Sequence, residues 1–430
     1  MGQPTDLAGW LAYLEARNRS AIVLGLDRVQ AVADRLGLRP AFPVITVGGT
    51  NGKGSVCAYL EAMLLASGMR VGCYTSPHLL RYNERVRISG EEIGDGSLCE
   101  AFAAVEDARG DVPLTYFEQG TLAALWLFQK APVEVVVLEV GLGGRLDAVN
   151  IWDSDCAVVA SVDLDHQGFL GDTREAIGFE KAGIFRPNRP AIYGDGDPPA
   201  SLMEHARNIS TRLLRMGHEI RIEEQPGATW NLRVGEHVYP ALPRPALAGR
   251  HQLANAACAI AALQMLRERL PVTRQALRDG LVQARQPGRF QVLGLQPLRI
   301  LDVAHNPHAA RTLAANLAAL GDQSGETGKI IAVMAILADK DVQGVIEPLL
   351  PLVQRWHVAG LGVPRGLAGE ALGDFLDRAG ADHQVHGNVT EAWQAACSEA
   401  AAADTICAFG SFYTVAELMM ETDAAPDTHG

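Results

Sequence analysis

The segment PVITVGGTNGKGS, residues 43–55, is the part of the sequence that decides the fold. An apolar, β-branched run leads into glycines at 48, 49, 52 and 54, and alanine- and leucine-rich sequence follows. This order predicts a buried strand, a glycine-rich turn and a helix. The backbone N–H groups of the turn and of the first helical residues can approach a phosphate chain closely. Lys53 can reach the outer phosphates of a nucleotide, and Ser55 can bring a hydroxyl near Mg²⁺.

The loop departs from the strict phosphate-loop spacing, because Val47 and Gly54 stand where that pattern has glycine and serine or threonine. A guanine-nucleotide switch would normally also carry a lysine preceded by asparagine or threonine. None of the five lysines of this sequence has such a neighbour, so GTP specificity is unsupported. A nucleotide-binding regulator without catalytic activity stays open as an alternative.

Strand-like and helix-like stretches alternate along most of the chain, which is typical of a parallel sheet covered on both faces. The predicted strands are 43–49, 134–141, 156–163, 299–306, 329–337 and 405–411. The predicted helices are 54–67, 118–130, 252–269, 272–285, 308–320 and 391–402. We therefore predict the α/β class, with a phosphate-loop parallel sheet in the N-terminal domain and a smaller Rossmann-like C-terminal domain. Residues 217–245 predict a small antiparallel insert.

Pro287 and Gly288 interrupt the helical pattern, and a new strand–helix series follows them. We therefore predict a first domain at 1–288, a second domain at 289–420, and a flexible tail at 421–430.

The net charge of −13 argues against a general nucleic-acid binder, which would need a basic face. Seven scattered cysteines without a CxxC pair make a disulfide framework or a structural zinc site improbable. We find no signal-peptide pattern and no apolar run of membrane-spanning length. These features predict a cytoplasmic protein without a membrane or nucleic-acid partner.

Several polar residues follow predicted strands, where open α/β sheets bind ligands. Glu139 ends an apolar strand, and Mg²⁺ coordination would explain a carboxylate there; pairing with Arg145 is the alternative. His166 follows the next strand, and Asp163 and Asp165 beside it are weaker candidates that could cap the following segment. Lys181 by itself is expected at the surface, although burial near a metal would lower its pKa.

A further segment, YTSPHLLRYNERVRISG at 74–90, places Ser76 and His78 in a turn. The basic stretch 81–87 that follows would suit an anion or form a solvated charged strand.

Taken together, these segments resemble the folylpolyglutamate synthase/dihydrofolate synthase family, a branch of the Mur-type ATP-dependent ligases. The resemblance extends from about residue 20 to about residue 420. It rests on the ordered motifs TVGGTNGKGS, YTSPHL, TYFEQGTLAAL, LEVGLGGRLDAVN, DHQGFLG, EKAGIF, GRHQLANA, GRFQV, DVAHNPHA and GSFYTVAEL.

The resemblance implies an ATP-binding domain at 1–288 with a pterin-binding N-terminal segment, and a C-terminal ligase domain at 289–420. It also implies a role for each matching residue. The residues that match ATP contacts are Thr50, Asn51, Gly52, Lys53, Gly54, Ser55, Asn255, Arg289, Asp302 and His305. The ligands of two Mg²⁺ sites would be Ser76, Glu139, His166 and Lys181, with Lys181 carried as an N-carboxylated side chain. Lys53, His166 and Lys181 would act in catalysis.

Three segments match substrate-lining parts of the family: Asp27, Arg28 and Val29; Thr115, Tyr116, Phe117 and Glu118; and Asp147, Ala148 and Val149. Val149 stands where threonine is expected, which places one hydrogen bond to substrate in question. The implied enzyme is a monomer that uses ATP to join L-glutamate to dihydropteroate and to folates through an acyl phosphate. Folylpolyglutamate synthesis alone, or another Mur-type carboxylate–amine ligase, is the alternative.

Overall fold

The computed structural model describes residues 3–17, 23–225, 227, 229–324 and 328–424. The chain divides into two compact units. Unit 1 comprises Met1–Ala246 and Gln252–Arg285, and unit 2 comprises Leu247–His251 and Gln286–Gly430. The main changeover thus falls between Arg285 and Gln286, three residues before the predicted position, and the short excursion at Leu247–His251 was not predicted.

Unit 1 contains the strands β1–β11 and the helices α1–α10. The strands are β1 (Val44–Gly48), β2 (Val71–Tyr74), β3 (Val86–Ile88), β4 (Glu91–Glu92), β5 (Val135–Glu139), β6 (Cys156–Val159), β7 (Pro190–Tyr193), β8 (Arg212–Arg215), β9 (Ile220–Glu224), β10 (Thr229–Val234) and β11 (His237–Pro243). The helices are α1 (Leu7–Arg17), α2 (Asp27–Arg35), α3 (Lys53–Ala66), α4 (Asp95–Arg109), α5 (Tyr116–Lys130), α6 (Gln167–Leu170), α7 (Arg174–Ala182), α8 (Ala200–Asn208), α9 (His251–Met265) and α10 (Arg274–Gln283).

In the described part of unit 1, eight strands form one sheet in the order β4-β3-β2-β5-β1-β6-β7-β8. Six neighbouring strands of this sheet, β2-β5-β1-β6-β7-β8, run parallel to one another. Strands β3 and β4 extend the sheet beyond β2, and each is antiparallel to its neighbour. Every residue of β1, β5 and β6 is buried, as expected when helices cover both faces of a parallel sheet. This arrangement confirms the predicted phosphate-loop parallel sheet.

The insert expected at 217–245 is also confirmed. Strands β9, β10 and β11 form a separate antiparallel sheet, with β10 in the middle. Trp230, Leu232 and Val234 alternate with exposed or half-exposed residues along β10. This period of two is typical of a sheet with one buried and one solvated face.

Unit 2 contains a second sheet in the order β12-β13-β17-β14-β15-β16. Its strands are β12 (Gln291–Leu295), β13 (Leu298–Leu301), β14 (Ile330–Met334), β15 (Arg355–Ala359), β16 (His383–His386) and β17 (Thr405–Phe409). Its helices are α11 (Pro307–Ser324), α12 (Val342–Ile346), α13 (Gly369–Ala379), α14 (Val389–Glu399) and α15 (Phe412–Ala424). All neighbouring strands pair in parallel except β12 and β13, which form an antiparallel edge.

The C-terminal helix corrects one expectation. Residues 421–424 were predicted to begin a flexible tail, but they form the last turn of α15. Val415 and Leu418 bury one face of this helix, which extends to Ala424, beyond the predicted domain end at residue 420. Residues 425–430 lie outside the described residues. Within the described residues, no helix is both long enough and apolar enough to cross a bilayer.

Candidate active site

The glycine-rich loop lies between β1 and α3, at the carboxyl end of the larger sheet. Helix α3 begins at Lys53, one residue before the predicted start at 54, and Gly52 before it adopts a left-handed conformation with φ of 86°. A Cβ atom on Gly52 would lie 2.6 Å from Oδ1 of Asn255, so only glycine fits there. The Lys53 ammonium donates hydrogen bonds to the carbonyls of Gly49 (3.1 Å) and Thr50 (3.2 Å). The loop backbone therefore surrounds the Lys53 ammonium at the N-terminus of α3, which is the positive end of the helix dipole.

The loop is fastened to the segment that follows β6. The Thr50 N–H donates to the carbonyl of Ser161 at 2.8 Å. The Thr50 hydroxyl donates to the carbonyl of Asp163 and accepts from its N–H, both at 3.0 Å. The Ser161 hydroxyl accepts from the N–H of Asn51 at 3.1 Å. These contacts hold the phosphate loop and the start of the His166 segment together, and no sequence pattern indicated them.

Glu139 lies beside the loop because of strand register. It is paired with Val47, one residue before the end of β1, and Leu138 is paired with Tyr74 at the end of β2. Its carboxylate is 3% exposed and accepts a hydrogen bond from the N–H of Ser76 at 3.0 Å. The alternative partner, Arg145, instead binds the Glu180 carboxylate at 2.8 Å. A buried strand-end carboxylate thus meets the turn that begins at Ser76.

The acidic residues around His166 shape the backbone. Oδ1 of Asp163 accepts from the N–H of Leu164, and Oδ1 of Asp165 accepts from the N–H of His166. His166 itself has φ of 52°, a conformation that is uncommon for residues other than glycine. Its side chain is 39% exposed, and its Nε2 lies 3.9 Å from Oδ1 of Asp165. A partly accessible imidazole in this place can reach a ligand at the sheet edge.

Lys181 corrects the expectation of a surface lysine. It lies in the last turn of α7 and is only 4% exposed. Burial and, to a smaller extent, the positive charge of Lys53 lower its pKa to about 7, although Asp165 and Asp147 act in the opposite direction. Its amine is therefore largely uncharged just above neutral pH. The sequence places Lys181 next to Glu180 and before a turn, and neither feature reveals this tertiary burial.

Asp147 is a further buried ionisable group of the site, in addition to Glu139 and Lys181. Its carboxylate accepts hydrogen bonds from the N–H groups of Leu142 (2.8 Å) and Val149 (3.1 Å). Burial nevertheless raises its pKa to about 6, because desolvation outweighs these donors and the nearby Lys53 charge. Val149 is fully buried, so its side chain belongs to the core at the position where a threonine was expected.

The three segments that match substrate-lining sequence meet in unit 1. The Arg28 guanidinium binds Oε1 of Glu118 at 2.7 Å, which joins the 25–29 segment to the start of α5. Oε2 of Glu118 caps Thr115 N–H at 2.7 Å, so this carboxylate is shared between a helix cap and an ion pair. The N–H of Gly25 donates to the carbonyl of Leu146 at 3.4 Å, next to Asp147.

The remaining predicted lining residues differ in burial. Val29 is in the core, Ala148 is buried, Asp27 is exposed, and Tyr116 and Phe117 are half-buried.

The basic stretch 81–87 is neither a solvated strand nor an open anion site over its whole length. Arg85 is 9% exposed, and its Nε donates to Nδ1 of His78 at 2.8 Å. Burial and the Arg85 charge lower the pKa of His78 to about 4. Arg87 forms an ion pair with Glu61 of α3 at 2.8 Å. Of the three arginines in this stretch, only Arg81, which is largely exposed and bound to Glu92, fits the prediction of a solvated charged strand.

The predicted ATP contacts outside the loop divide between the units. In unit 1, Nδ2 of Asn255 donates to Oε1 of Gln252, whose Nε2 donates to the buried Ser55 hydroxyl at 3.3 Å. In unit 2, the half-buried Asp302 carboxylate accepts from the N–H groups of Phe290 and Ala304 at 2.8 Å, and desolvation raises its pKa.

Two further residues of unit 2 complete this set. The Arg289 guanidinium lies 5.4 Å from the centre of the Phe412 ring, and Nδ1 of His305 donates to the carbonyl of Val303 at 2.8 Å. An Arg–aromatic pair of this kind presents both charge and a flat surface.

Within the described residues, no group of three or more His, Cys, Asp and Glu side chains is arranged to hold a metal ion. The predicted ligand set has a different composition, because it combines one glutamate and one histidine with a serine hydroxyl and a lysine. The oxygen-rich part of this set, Ser76 and Glu139, suits the hard cation Mg²⁺. A carboxyl group on Lys181 would add a further oxygen ligand.

Comparisons with known proteins agree with this geometry. Residues 47–263 match the Mur ligase middle domain, and residues 288–412 match the Mur ligase glutamate ligase domain. The dihydrofolate synthase/folylpolyglutamate synthase of Escherichia coli is 45% identical over 435 residues, covering 98% of this chain and 96% of that protein.

Solved structures cover the whole fold. The E. coli FolC structure in complex with DHPP and ADP has a TM-score of 0.93 and 46% identity, and covers 99% of both chains. A bifunctional folylpolyglutamate synthase/dihydrofolate synthase with Mn, AMPPNP and L-glutamate bound has a TM-score of 0.90 and 46% identity, over 98% of this chain and 99% of that chain. Because both ligase domains and nearly the full length are matched, the chain belongs to the dihydrofolate synthase/folylpolyglutamate synthase family of the Mur ligase superfamily.

Proposed function

We propose that this protein is an ATP-dependent ligase that joins L-glutamate to dihydropteroate and to folates through an acyl phosphate. The observation that carries the proposal is the meeting of three features at one sheet edge. The phosphate loop follows β1, the buried Glu139 ends the neighbouring strand β5, and Lys53 lies close enough to the buried Lys181 to lower the pKa of that lysine.

The first step activates the carboxylate of the pterin substrate. A carboxylate oxygen attacks the γ-phosphorus of ATP, a new P–O bond forms, and the bond to the bridging oxygen breaks with release of ADP. Lys53 and the loop amides bind the phosphate oxygens, which requires Lys53 to leave the carbonyls of Gly49 and Thr50. Two bound Mg²⁺ ions supply additional positive charge beside the triphosphate and the carboxylate.

The second step forms the amide. The uncharged amine of L-glutamate attacks the acyl carbon, a C–N bond forms, and the C–O bond to phosphate breaks. The proton that the amine loses leaves with solvent or phosphate. The amide requires no redox partner, so ATP, glutamate and the pterin carboxylate balance the reaction completely.

The ligands for Mg²⁺ in this proposal are Ser76, Glu139, His166 and Lys181. An uncharged buried amine attacks CO₂ readily, and loss of one proton then leaves an N-carboxylate. This modification gives the neutral Lys181 side chain a negative charge, which attracts Lys53 and adds an oxygen ligand. The burial and lowered pKa of Lys181 support it.

The pterin end of the substrate is proposed to bind the joined segments 25–29, 115–118 and 147–149. The Arg28–Glu118 ion pair supports this assignment, because it connects the first two segments directly. ATP is proposed to contact Asn255, Arg289, Asp302 and His305 in addition to the loop. The two ligase units correspond to an ATP-binding domain and a C-terminal domain. A cytoplasmic, reducing location belongs to the same proposal and is supported by seven free cysteines.

ADP release in matched assays tests the function. We expect ADP to form with dihydropteroate and with tetrahydrofolate, in each case only when L-glutamate is present, and Lys53→Ala to abolish both reactions. Turnover with tetrahydrofolate alone would reduce the function to folylpolyglutamate synthesis. Turnover with neither pterin would exclude it and leave another Mur-type ligase.

A further inference from the structure

The turn that follows β2 begins at Ser76 and is held at several points. Its first amide, the N–H of Ser76, donates to Glu139, while the Ser76 hydroxyl has no hydrogen-bond partner among the described residues. The side chain is half-buried. A serine whose backbone is fixed and whose hydroxyl is unused within the fold is suited to bind a ligand.

The side chain of Glu84 closes the other end of this turn. Oε2 accepts from the N–H of Leu79 at 2.7 Å, and Oε1 accepts from the N–H groups of Leu80 at 2.7 Å and Arg81 at 2.6 Å. Three consecutive backbone amides therefore converge on one carboxylate. Such a cluster binds an anion strongly, and here the anion is supplied by the chain itself.

Arg87 connects Glu84 to the residue just before Ser76. Its Nη1 donates to the carbonyl of Glu84 at 2.8 Å and to the hydroxyl of Thr75 at 3.1 Å. Its Nε and Nη2 bind the carboxylate of Glu61 on α3, the helix that begins at Lys53. The guanidinium thus fixes the Ser76 turn relative to the phosphate-loop helix.

We propose that Glu84 and Arg87 are positioning residues that hold the Ser76 hydroxyl for metal binding. Neither side chain is assigned a contact with substrate or metal. Glu84 fixes the far end of the turn, and Arg87 fixes Thr75 and, through Glu61, the distance to the loop helix. This inference rests on the proposed role of Ser76 as a metal ligand.

Direct binding of Mn²⁺ in the presence of AMPPNP, followed by the electron paramagnetic resonance of free Mn²⁺, tests the inference without turnover. We expect Glu84→Gln to weaken Mn²⁺ binding about tenfold, as is typical when a group supporting a metal ligand is altered. The amide is isosteric but has only one acceptor oxygen, so at least one of the three backbone contacts is lost. Arg87→Lys keeps the positive charge but loses the planar guanidinium that bonds Glu61, Thr75 and Glu84 together. It should therefore also weaken Mn²⁺ binding.

A double-mutant cycle separates positioning from general damage. If Glu84 acts through Ser76, Glu84→Gln should change Mn²⁺ affinity less than twofold once Ser76→Ala is present, because coupled residues are not additive. Independent, multiplying effects of the two substitutions would overturn the inference. Should Glu84→Gln fail to fold, the same cycle is run with Arg87→Lys.

Glu391→Gln is the matched control in unit 2. Its carboxylate accepts from the N–H of Gly387 at 3.0 Å and from Nδ2 of Asn388 at 2.9 Å, so it also fixes a turn. We expect it to leave Mn²⁺ affinity unchanged. If Ser76→Ala weakens binding while Glu84→Gln and Arg87→Lys do not, the inference fails and the ligand assignment stands. If Ser76→Ala itself has no effect, the ligand assignment fails.

Discussion

The two ends of the larger sheet bury charge in opposite ways. At the amino end, Oδ2 of Asp155 accepts from the N–H of Val44 at 2.9 Å, while Oδ1 binds the guanidinium groups of Arg189, at 2.9 Å, and Arg269. At the carboxyl end, the lysine Lys181 is buried near a second lysine, and the buried Asp147 has a pKa of about 6. The amino end pairs its buried carboxylate with two arginines, whereas the carboxyl end buries a lysine whose pKa is lowered by burial and by the charge of a second lysine.

This difference predicts that residues at the amino end of the sheet contribute to folding stability, whereas residues at the carboxyl end contribute to catalysis. Removing the charge of a buried carboxylate that is paired with arginines destabilises the fold, because its partners are left without a counter-charge. A buried amine close to another cation destabilises the unmodified fold but leaves a reactive, neutral group where a ligand can bind. Substitutions at the two ends should therefore change different properties.

The largest effect is expected for Lys181→Ala. We expect kcat to fall about a thousandfold or more, since the site loses the group that would carry the carboxylate, and added formate or acetate to restore part of the activity. Steady-state ADP release with and without these ions is the measurement. Activity close to that of the unaltered enzyme would refute the N-carboxylated lysine.

The pH dependence of stability gives the next test. Between about pH 7 and 10.5 the unfolded chain holds the Lys181 proton and the folded, unmodified chain does not. Raising the pH through this window should therefore stabilise the unaltered protein relative to Lys181→Met. Thermal unfolding of both proteins in CO₂-depleted buffer measures the difference. Parallel melting temperatures across the window would show that Lys181 is not desolvated.

At the opposite end of the sheet, Asp155→Asn should reduce stability rather than catalysis. We expect the free energy of unfolding to fall by about 2–3 kcal/mol, because two arginines lose a charged partner that is itself buried. Denaturant unfolding measures this loss, and kcat per folded molecule should be unchanged. A large loss of kcat at full folding would remove the contrast between the two ends.

The smallest effect is expected for Val149→Thr. Val149 is packed in the core, so a threonine hydroxyl there can add a hydrogen bond only to a pterin that packs directly against residue 149, and such a bond corresponds to a two- to tenfold lower KM for dihydropteroate. The KM for ATP should stay constant and serves as the internal control. An unchanged KM for dihydropteroate would place residue 149 outside the substrate site.

Local pattern was sufficient for much of the fold. The apolar runs that became β1, β5 and β17 and the helix beginning at Lys53 follow from residues that are adjacent in sequence. The burial of Lys181 and the pairing of Arg87 with Glu61 depend on residues from distant segments, so no local pattern could predict them. The same holds for Leu247–His251, whose place in unit 2 depends on contacts made after residue 286.

The crossed pair of hydrogen bonds between Thr50 and the backbone of Asp163 has a mechanical consequence. Two bonds to a single residue resist twisting as well as separation. Any displacement of the loop backbone at Thr50 would therefore be passed on to the stretch leading to His166. The two hydrogen bonds make the phosphate loop and the His166 segment one mechanical element of the sheet edge.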